Sequence, residues 1–386
     1  MRLAVSGIRA KSTGKKATVA LFLTTLSLVA GGCARFDDAA SSPFSPEPSF
    51  GSGAEVNPKD QKQPPTSTTK PRAPQGPCID PDPNVIATCL DALGGLVPLP
   101  DGNSALVAER RTGRILRVSA GQKPVEVARM DVDGSGDGGL LDLALSPAFD
   151  EDGLIYAYIT TPTDNRVVRI APGDVPKDVL TGIPKGDNGN RGALVFDNPD
   201  ELLVLTSDAG NPAAATDPAS LSGKLLRIQK PGVTPDAHPP TQPALSGIGI
   251  AGDVCPGPNN SIWVTDRTAT EDRLQKIEGN GVVINPVWTW PDRPGVAGCA
   301  AGANAVAVSL TGAKAVAVLA LDQETGAVTA APSLVAQDKY GQLNGAGLGP
   351  DGTLWASTVN KAGGQPGPND DRVVKIPVPA GGGGAD

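Results

Sequence analysis

The sequence predicts an all-β protein, a six-bladed β-propeller, and two observations support this prediction. A unit of about 45 to 60 residues made of short strands recurs through residues 78–379, which is typical of propeller blades. Long helical patterns are few, while Gly and Pro are abundant, with 48 and 38 residues. One such unit cannot bury both faces of its sheet, so closing the units into a ring supplies the missing neighbours and protects the strand edges. Seven blades are the alternative, because a repeat count can slip by one.

Each copy of the unit has a turn, an apolar strand, a second turn and a strand with a basic residue. The opening turns are Asp101–Gly102, Asp152–Gly153, Pro199–Asp200, Asn259–Asn260 and Asp351–Gly352. The strands with a basic residue are Arg114–Val118, Asn165–Ile170, Gly223–Ile228, Asp272–Ile277 and Asp371–Ile376. A weaker copy, Val306–Val308 with Val316–Leu319, fills the wide gap before the last turn and brings the number of units to six.

Residues 1–32 read as an export signal. Five basic residues and no acidic residue precede an apolar run, Ala17–Ala30, that is too short to span a bilayer. Small residues then lead into Cys33, as in bacterial lipoprotein signals, where that cysteine is diacylated and becomes the mature N-terminus. Ala30 stands where Leu or Val is commoner, and the alternative is an ordinary cleaved signal with an incidental Cys33. The expected location is therefore the outer face of the cytoplasmic membrane.

Residues 33–77 are predicted to be a disordered linker behind the lipidated cysteine. Prolines mixed with Ser, Thr, Lys and Asp bury too little apolar surface to offset chain entropy. A second disordered segment is predicted at residues 380–386, where Gly381–Gly384 form a run. The linker would hold the propeller off a membrane.

Charge and cysteine usage narrow the classes of partner and site. Without residues 1–32 the chain has 28 basic against 41 acidic residues, a net charge of −13, which argues against a nucleic-acid partner. Beyond Cys33 an even number of cysteines remains in an exported chain, so two disulfides are expected. Proximity in the sequence favours Cys78–Cys89 and leaves Cys255–Cys299. The single histidine, His238, lies in a turn-rich segment and is expected to be a solvated loop residue.

Three segments carry a family resemblance: Gly136–Pro147, Asp164–Ile170 and Ser207–Ile228. Together they resemble the glucose/sorbosone dehydrogenase family of six-bladed propellers, and the likeness runs from about residue 100 to 376. The resemblance implies pyrroloquinoline quinone (PQQ) and calcium as cofactors and oxidation of an aldose. A histidine of the family removes the proton from the sugar hydroxyl while hydride passes to the quinone.

The residues at the family's catalytic positions differ in this chain. The motif His-x-Gly-Gly-x-Leu corresponds to Gly189–Leu194, so Gly189 stands at the position of the histidine. Asp187 and Asp208 are the remaining candidate bases, and an aspartate is the weaker base unless burial raises its pKa. No catalytic residue is therefore assigned.

The family's cofactor motifs are altered as well. Gly-x-Arg-Asn-Pro-Gln-Gly corresponds to Gly247–Asp253, where Gly249 and Ile250 replace the Arg and Asn. A segment that supplies backbone ligands near calcium reads Asp266–Ala269, and Gly341–Asn344 lacks an expected Arg. Because PQQ is a tricarboxylate, losing positive charge should weaken its binding. The residues of a cofactor site stay unassigned, and PQQ with calcium is expected only if the family's activity is retained.

Two further patterns are candidate binding sites. Asp131, Asp133, Asp137 and Asp142 have the spacing of a calcium loop, although no helix pattern precedes them. Trp288 and Trp290 lie on the same face of a predicted strand, where they would pack in a blade core or stack on a sugar.

The main functional prediction is a lipid-anchored cell-envelope propeller that lacks dehydrogenase activity and acts by binding a glycan, a small molecule or an envelope protein. The alternative is a PQQ- and calcium-dependent sugar dehydrogenase with a diverged active site. A third hypothesis is an envelope assembly factor that uses blade edges or loops.

Overall fold

The computed structural model describes residues 78–322 and 324–378, and these form six four-stranded antiparallel sheets arranged as the blades of a propeller. The prediction of an all-β, six-bladed ring is confirmed. The predicted export signal, Cys33, the linker and the C-terminal segment lie outside the described residues. No helix in the described part is long and apolar enough to cross a membrane.

The first three blades follow the chain without interruption, each running from its inner to its outer strand. Their strands are β2 Leu93–Pro98, β3 Ser104–Glu109, β4 Arg114–Ser119 and β5 Val125–Arg129 in blade 1; β6 Leu140–Leu145, β7 Ile155–Thr160, β8 Asn165–Ile170 and β9 Lys177–Ile183 in blade 2; and β10 Gly192–Asn198, β11 Glu201–Thr206, β12 Lys224–Gln229 and β13 Thr241–Ser246 in blade 3.

 The first strand of the described chain, β1 (Val85–Ala87), is not part of blade 1.

The last three blades repeat the order, and β1 completes the sixth. Their strands are β14 Ala251–Pro256, β15 Ile262–Arg267, β16 Asp272–Ile277, β17 Val283–Trp290; β18 Val296–Ala301, β19 Ala305–Leu310, β20 Ala315–Ala320, β21 Ser333–Val335; and β22 Leu343–Leu348, β23 Leu354–Thr358, β24 Val373–Ile376. The described helices are short: α1 Phe149–Asp152, α2 Pro212–Thr216 and a 3₁₀ turn at Pro258–Asn260.

The ring is closed by the N-terminal end of the described chain. Strand β1 pairs antiparallel with β24, with Val85 opposite Val374, so the outermost strand of blade 6 precedes blade 1 in the sequence. A two-way backbone pair between Leu90 and Asp371 continues this join. Because the first and last segments share one sheet, the ring cannot open without breaking strand pairing.

Apolar side chains pack between blades rather than within one sheet. Six core clusters are described, and each combines residues of two adjacent blades. Tyr158 of blade 2, for example, packs with Leu194 of blade 3 and is fully buried. This arrangement explains why the repeating unit needs neighbours, since each sheet has two faces to bury.

The sequence pattern identified the two middle strands of every blade. The weak copy is confirmed as β19 and β20 of blade 5. Of the innermost strands, that of blade 2 lies in a segment that carries the family resemblance and that of blade 3 overlaps the motif at Gly189–Leu194, whereas others were not identified because Gly interrupts their apolar residues, as in Leu93–Pro98 and Ala251–Pro256. Apart from the strand that carries Trp288 and Trp290, the outermost strands were missed because they are exposed, as Val125–Arg129 shows, and therefore lack strong alternation.

Both expected disulfides are present. Cys78–Cys89 ties the segment before the ring to the loop that leads into β2. Cys255–Cys299 joins the inner strands of blades 4 and 5, and both of its cysteines are buried.

Candidate functional site

The inner strands of the six blades surround the axis of the ring and all begin at one end, which we call the mouth. Two cavities lie along the axis. The mouth cavity has a volume of about 370 Å³ and is lined by Arg110, Arg111, Gly134, Gly136, Asp137, Arg191 and Ala362. The channel cavity has a volume of about 460 Å³ and is lined by the inner strands below it. Binding sites of propellers and other closed folds are found in such concave centres.

Gly189 lies at the mouth, in the loop that leads into β10. Its φ is +71°, and a Cβ atom placed there would lie 2.7 Å from the Gly210 nitrogen and 2.8 Å from Asp208 Oδ1. A side chain at this position would therefore be strained and would collide with the loop after β11. The position that corresponds to the family's histidine is closed to larger residues in this backbone.

The two candidate bases have different surroundings. Asp208 is buried directly beside Gly189, and its Oδ1 accepts a hydrogen bond from the Gly210 nitrogen at 2.8 Å. Burial raises the pKa of Asp208, and the nearby Asp137 charge adds to this effect. Asp187 is exposed. Burial therefore favours Asp208 over Asp187 as a proton acceptor.

The structure does not gather the carboxylates of the calcium-like loop. Asp131 is exposed, and Asp133 pairs with Lys185 at 2.5 Å. Asp137 accepts the Gly189 N–H at 2.8 Å and the Asn190 side-chain amide at 2.9 Å. Asp142 lies in the channel instead. Within residues 78–322 and 324–378 no three His, Cys, Asp or Glu side chains form a group that could hold a metal ion.

Arg191 is the central residue of the mouth, and the sequence analysis did not single it out. It precedes β10 of blade 3 and donates a hydrogen bond of 2.9 Å to Asn344 Oδ1 in blade 6, on the opposite side of the ring. Arg191 lines both cavities, so its side chain crosses the axis between them. One signal was available: Arg191 occupies the first Gly of the family's Gly-Gly pair.

Arg110 is a second guanidinium at the mouth. Only 3% of the residue is exposed, and Nη1 donates to the carbonyls of Gly136 at 3.1 Å and Gly138 at 2.6 Å. Burial and the charges of Arg191 and Arg111 lower the pKa of Arg110 to about 10. Burial and the charge of Arg267 lower the pKa of Arg191 to about 10. Both groups therefore stay charged at neutral pH.

Two carboxyl groups face the channel cavity below Arg191. Burial raises the pKa of Asp253 to about 7, while burial and the Asp253 charge raise the pKa of Asp142 well above its ordinary range. Because two carboxylates withdrawn from water in one channel repel each other, the protonated form of the pair is favoured.

Side chains of alternate blades connect neighbouring inner strands around the channel. Asp142 Oδ2 of blade 2 accepts the Leu194 N–H of blade 3 at 2.7 Å. Asp253 Oδ2 of blade 4 accepts the Cys299 N–H of blade 5 at 2.8 Å. Asn344 of blade 6 donates to the Leu93 carbonyl of blade 1 at 2.9 Å. These three contacts hold the blades together where they meet at the axis.

Three other cofactor-motif positions, Gly249, Asp266 and Arg267, serve structural contacts. The Gly249 nitrogen donates to Asp266 Oδ1 at 2.7 Å, and a Cβ at residue 249 would lie 1.9 Å from the Arg267 carbonyl oxygen. Arg267 itself donates to the Gly295 and Val296 carbonyls of blade 5. Arg267 thus joins blade 4 to blade 5.

Two other candidate residues lie away from the mouth. Trp290 is buried and Trp288 partly buried in the core between blades 4 and 5, with ring centroids 6.4 Å apart, so the pair packs in the core. His238 is exposed in the connection between β12 and β13, as expected for a loop residue.

Comparison with known proteins shows that this ring is similar to proteins described as sugar dehydrogenases. Residues 90–248 match the family model for Glucose / Sorbosone dehydrogenase. The aldose sugar dehydrogenase YliI of Escherichia coli (strain K12) is 30% identical over 171 residues, which are 40% of this chain and 46% of that protein. The chain thus matches about half the length of this curated relative.

Solved structures match a larger part of the ring. The PQQ-bound aldose sugar dehydrogenase of Streptomyces coelicolor is 29% identical, with a TM-score of 0.65 over 76% of this chain and 96% of that chain. The soluble aldose sugar dehydrogenase of E. coli in its apo form is 22% identical, with a TM-score of 0.62 over 76% and 98%, and shows the fold alone. The chain belongs to the glucose/sorbosone dehydrogenase-like family of β-propellers.

Proposed function

We propose that this propeller binds a ligand at its mouth and does not oxidise sugars. The observation that carries the proposal is Gly189, which provides no side chain at the position where the family has its proton-abstracting histidine. General-base catalysis contributes about 10²- to 10⁴-fold to such reactions, so its loss alone would reduce turnover severely. The retained ring with an altered centre supports a binding role, because a fold does not dictate one activity.

The residues at the mouth do not fit the family's cofactors. Arg191 crosses the axis at the height of the mouth, and Gly249 and Ile250 stand where the family has the Arg and Asn of its quinone motif. The carboxylates of the calcium-like loop each have separate partners, as described above. We therefore derive no step through PQQ or calcium.

A second candidate function rests on Asp208. This carboxyl is buried next to Gly189 and its raised pKa would suit a general base, which supports the alternative of a PQQ- and calcium-dependent sugar dehydrogenase. Asp208 also has a structural explanation, since it caps the turn at Gly210. The assay below separates the two functions.

A dye-reduction assay tests the proposal. The purified chain, incubated with PQQ and calcium and a panel of aldoses, is expected to reduce an electron-accepting dye no faster than a sugar-free control. The E. coli aldose sugar dehydrogenase serves as the positive control in the same buffer. Sugar-dependent dye reduction that disappears in an Asp208→Asn variant would instead establish the dehydrogenase.

We also propose that the protein is anchored in the cell envelope through a diacylated Cys33. The proposal rests on the basic start, the short apolar run and the small residues before this cysteine. Two acyl chains provide stable membrane binding without a spanning helix. In this location the ligand would be a glycan, a small molecule or an envelope protein.

Cell fractionation tests the anchor. The wild-type chain is expected in the membrane fraction, and a Cys33→Ala variant is expected to leave it, because the variant cannot be acylated. Metabolic labelling with a fatty acid provides a second readout that Cys33→Ala should abolish. A variant that stays in the membrane fraction unlabelled would show that another part of the chain provides the anchor.

A further inference from the structure

The mouth cavity has the electrostatic character of an anion site. Arg110 and Arg191 both line it, and among the residues that the structure describes neither guanidinium has a carboxylate within ion-pair distance, 4.0 Å. Arg111, the third guanidinium of the cavity, is paired with Asp91. Arg110 is buried and Arg191 is partly buried. A cation withdrawn from water without a counter-ion is costly, so two of them at one cavity indicate that a negative group belongs there.

The hydrogen-bond geometry leaves donors available for such a group. Arg191 donates one N–H to Asn344, and Arg110 donates through Nη1 to backbone carbonyls in the loop that leads into β6 of blade 2. The other donors of the two guanidinium groups have no protein acceptor among the described residues. Asp137, the acidic residue of the cavity, accepts its hydrogen bonds from Gly189 and Asn190, and its charge acts on the two arginines only from beyond ion-pair distance.

We propose that the mouth cavity binds a small oxyanion, the carboxylate or phosphate group of a ligand, between Arg191 and Arg110. Guanidinium groups present paired donors that match the oxygens of either group, and charge-assisted hydrogen bonds of this kind are the strong ones. Arg191 is the anchor because it crosses the axis and faces the cavity from the centre of the ring. The inference rests on the proposed binding function and adds the ligand class.

Arg191 also determines how deep a ligand reaches. Its hydrogen bond to Asn344 spans the ring between opposite blades, so the side chain separates the mouth cavity from the channel cavity. A ligand held on Arg191 therefore stays at the mouth, with its other groups toward the loops and solvent. The available volume of about 370 Å³ suits a compact organic anion.

Thermal unfolding with added anions tests the inference. The purified chain is titrated with citrate, glucuronate and inorganic phosphate at constant ionic strength, with chloride as the reference anion. The melting temperature of the wild-type protein is expected to rise by about 5 °C when the bound anion is in roughly hundredfold excess over its dissociation constant. Response to the carboxylates alone or to phosphate alone identifies which oxyanion the site takes.

Variants separate specific binding from general salt effects. Arg191→Met should lose at least about tenfold in anion affinity, and Arg191→Lys should keep part of it. Arg191→Met should also melt no lower than the wild type without anions, because it removes an unpaired cation. Arg129→Gln is the matched control, since Arg129 is exposed and pairs with Glu126, and it should respond as the wild type does.

Two results would overturn the inference: a wild-type protein that responds to no anion beyond chloride, or equal responses in wild type and Arg191→Met. Aldose oxidation measured on the same preparation tests the proposed function separately. If the protein binds anions and also oxidises sugars, the anion site stands and the binding-only function is wrong. If it does neither, the anion site is wrong and the proposal that the protein does not oxidise sugars is unaffected.

Discussion

Replacing Cys255 and Cys299 together by alanine is expected to lower the free energy of unfolding by about 4 kcal/mol. The disulfide joins the inner strands of blades 4 and 5 and closes a long segment, because its cysteines have a sequence separation of 44. Both cysteines are buried, so the variant also leaves unfilled space in the core. Urea unfolding followed by tryptophan fluorescence measures the loss, and Trp263 packs in the same cluster.

The pair Cys78→Ala with Cys89→Ala is the control for this experiment. Its disulfide has a sequence separation of only 11 and lies where Cys78 is exposed, so a smaller loss is expected. Equal denaturant midpoints for the wild type and the Cys255/Cys299 variant would mean that strand pairing alone holds blades 4 and 5 together.

An Asp142→Asn variant is expected to be more stable than the wild type at pH 8, by about 1–3 kcal/mol. In the folded protein the pKa of Asp142 is raised well above its ordinary range by burial and by the Asp253 charge. The folded state therefore keeps a proton that the unfolded state releases above about pH 4. The free energy of unfolding of the wild type falls as pH rises from about 4 toward the raised pKa of Asp142 in the folded state. Asparagine resembles the protonated acid and can still accept the Leu194 N–H.

The pH dependence distinguishes this cause from a general effect of charge. The stability difference should vanish below about pH 3, where both the folded and the unfolded wild type hold the proton, and should grow as pH rises toward and beyond 7, the region in which Asp253 titrates. Asp150→Asn removes an exposed carboxylate and should change stability little at any pH. A lower stability of Asp142→Asn at pH 8 would contradict a protonated channel pair.

The channel and the mouth of the ring have separate roles. The channel is held by contacts between inner strands, from Asp142, Asp253, Asn344 and the buried disulfide. The mouth carries the unpaired guanidinium groups and the loop in which Gly189 replaces a catalytic side chain. Removing a channel contact should therefore affect stability first, whereas changes at Arg191 should affect ligand binding first.

Local patterns in the sequence determined the ring. Turn residues and strand alternation repeat at a nearly constant interval, and both are read from neighbouring residues, so the blades and even the weak copy at Val306–Leu319 could be predicted. The absence of a histidine at residue 189 was equally visible, because a motif aligns residue by residue. The disulfide pairing followed from proximity along the chain.

The binding centre was decided by tertiary structure. Arg110, Arg191 and Asn344 belong to blades 1, 3 and 6 and are separated by about 80 residues or more, so no sequence window brings them together. The same holds for Asp142 and Asp253, whose raised pKa values arise only when ring closure buries both in one channel. Repetition specifies the blades locally, but the axis is where all six meet, and its chemistry depends on which side chains the closed ring directs to one point.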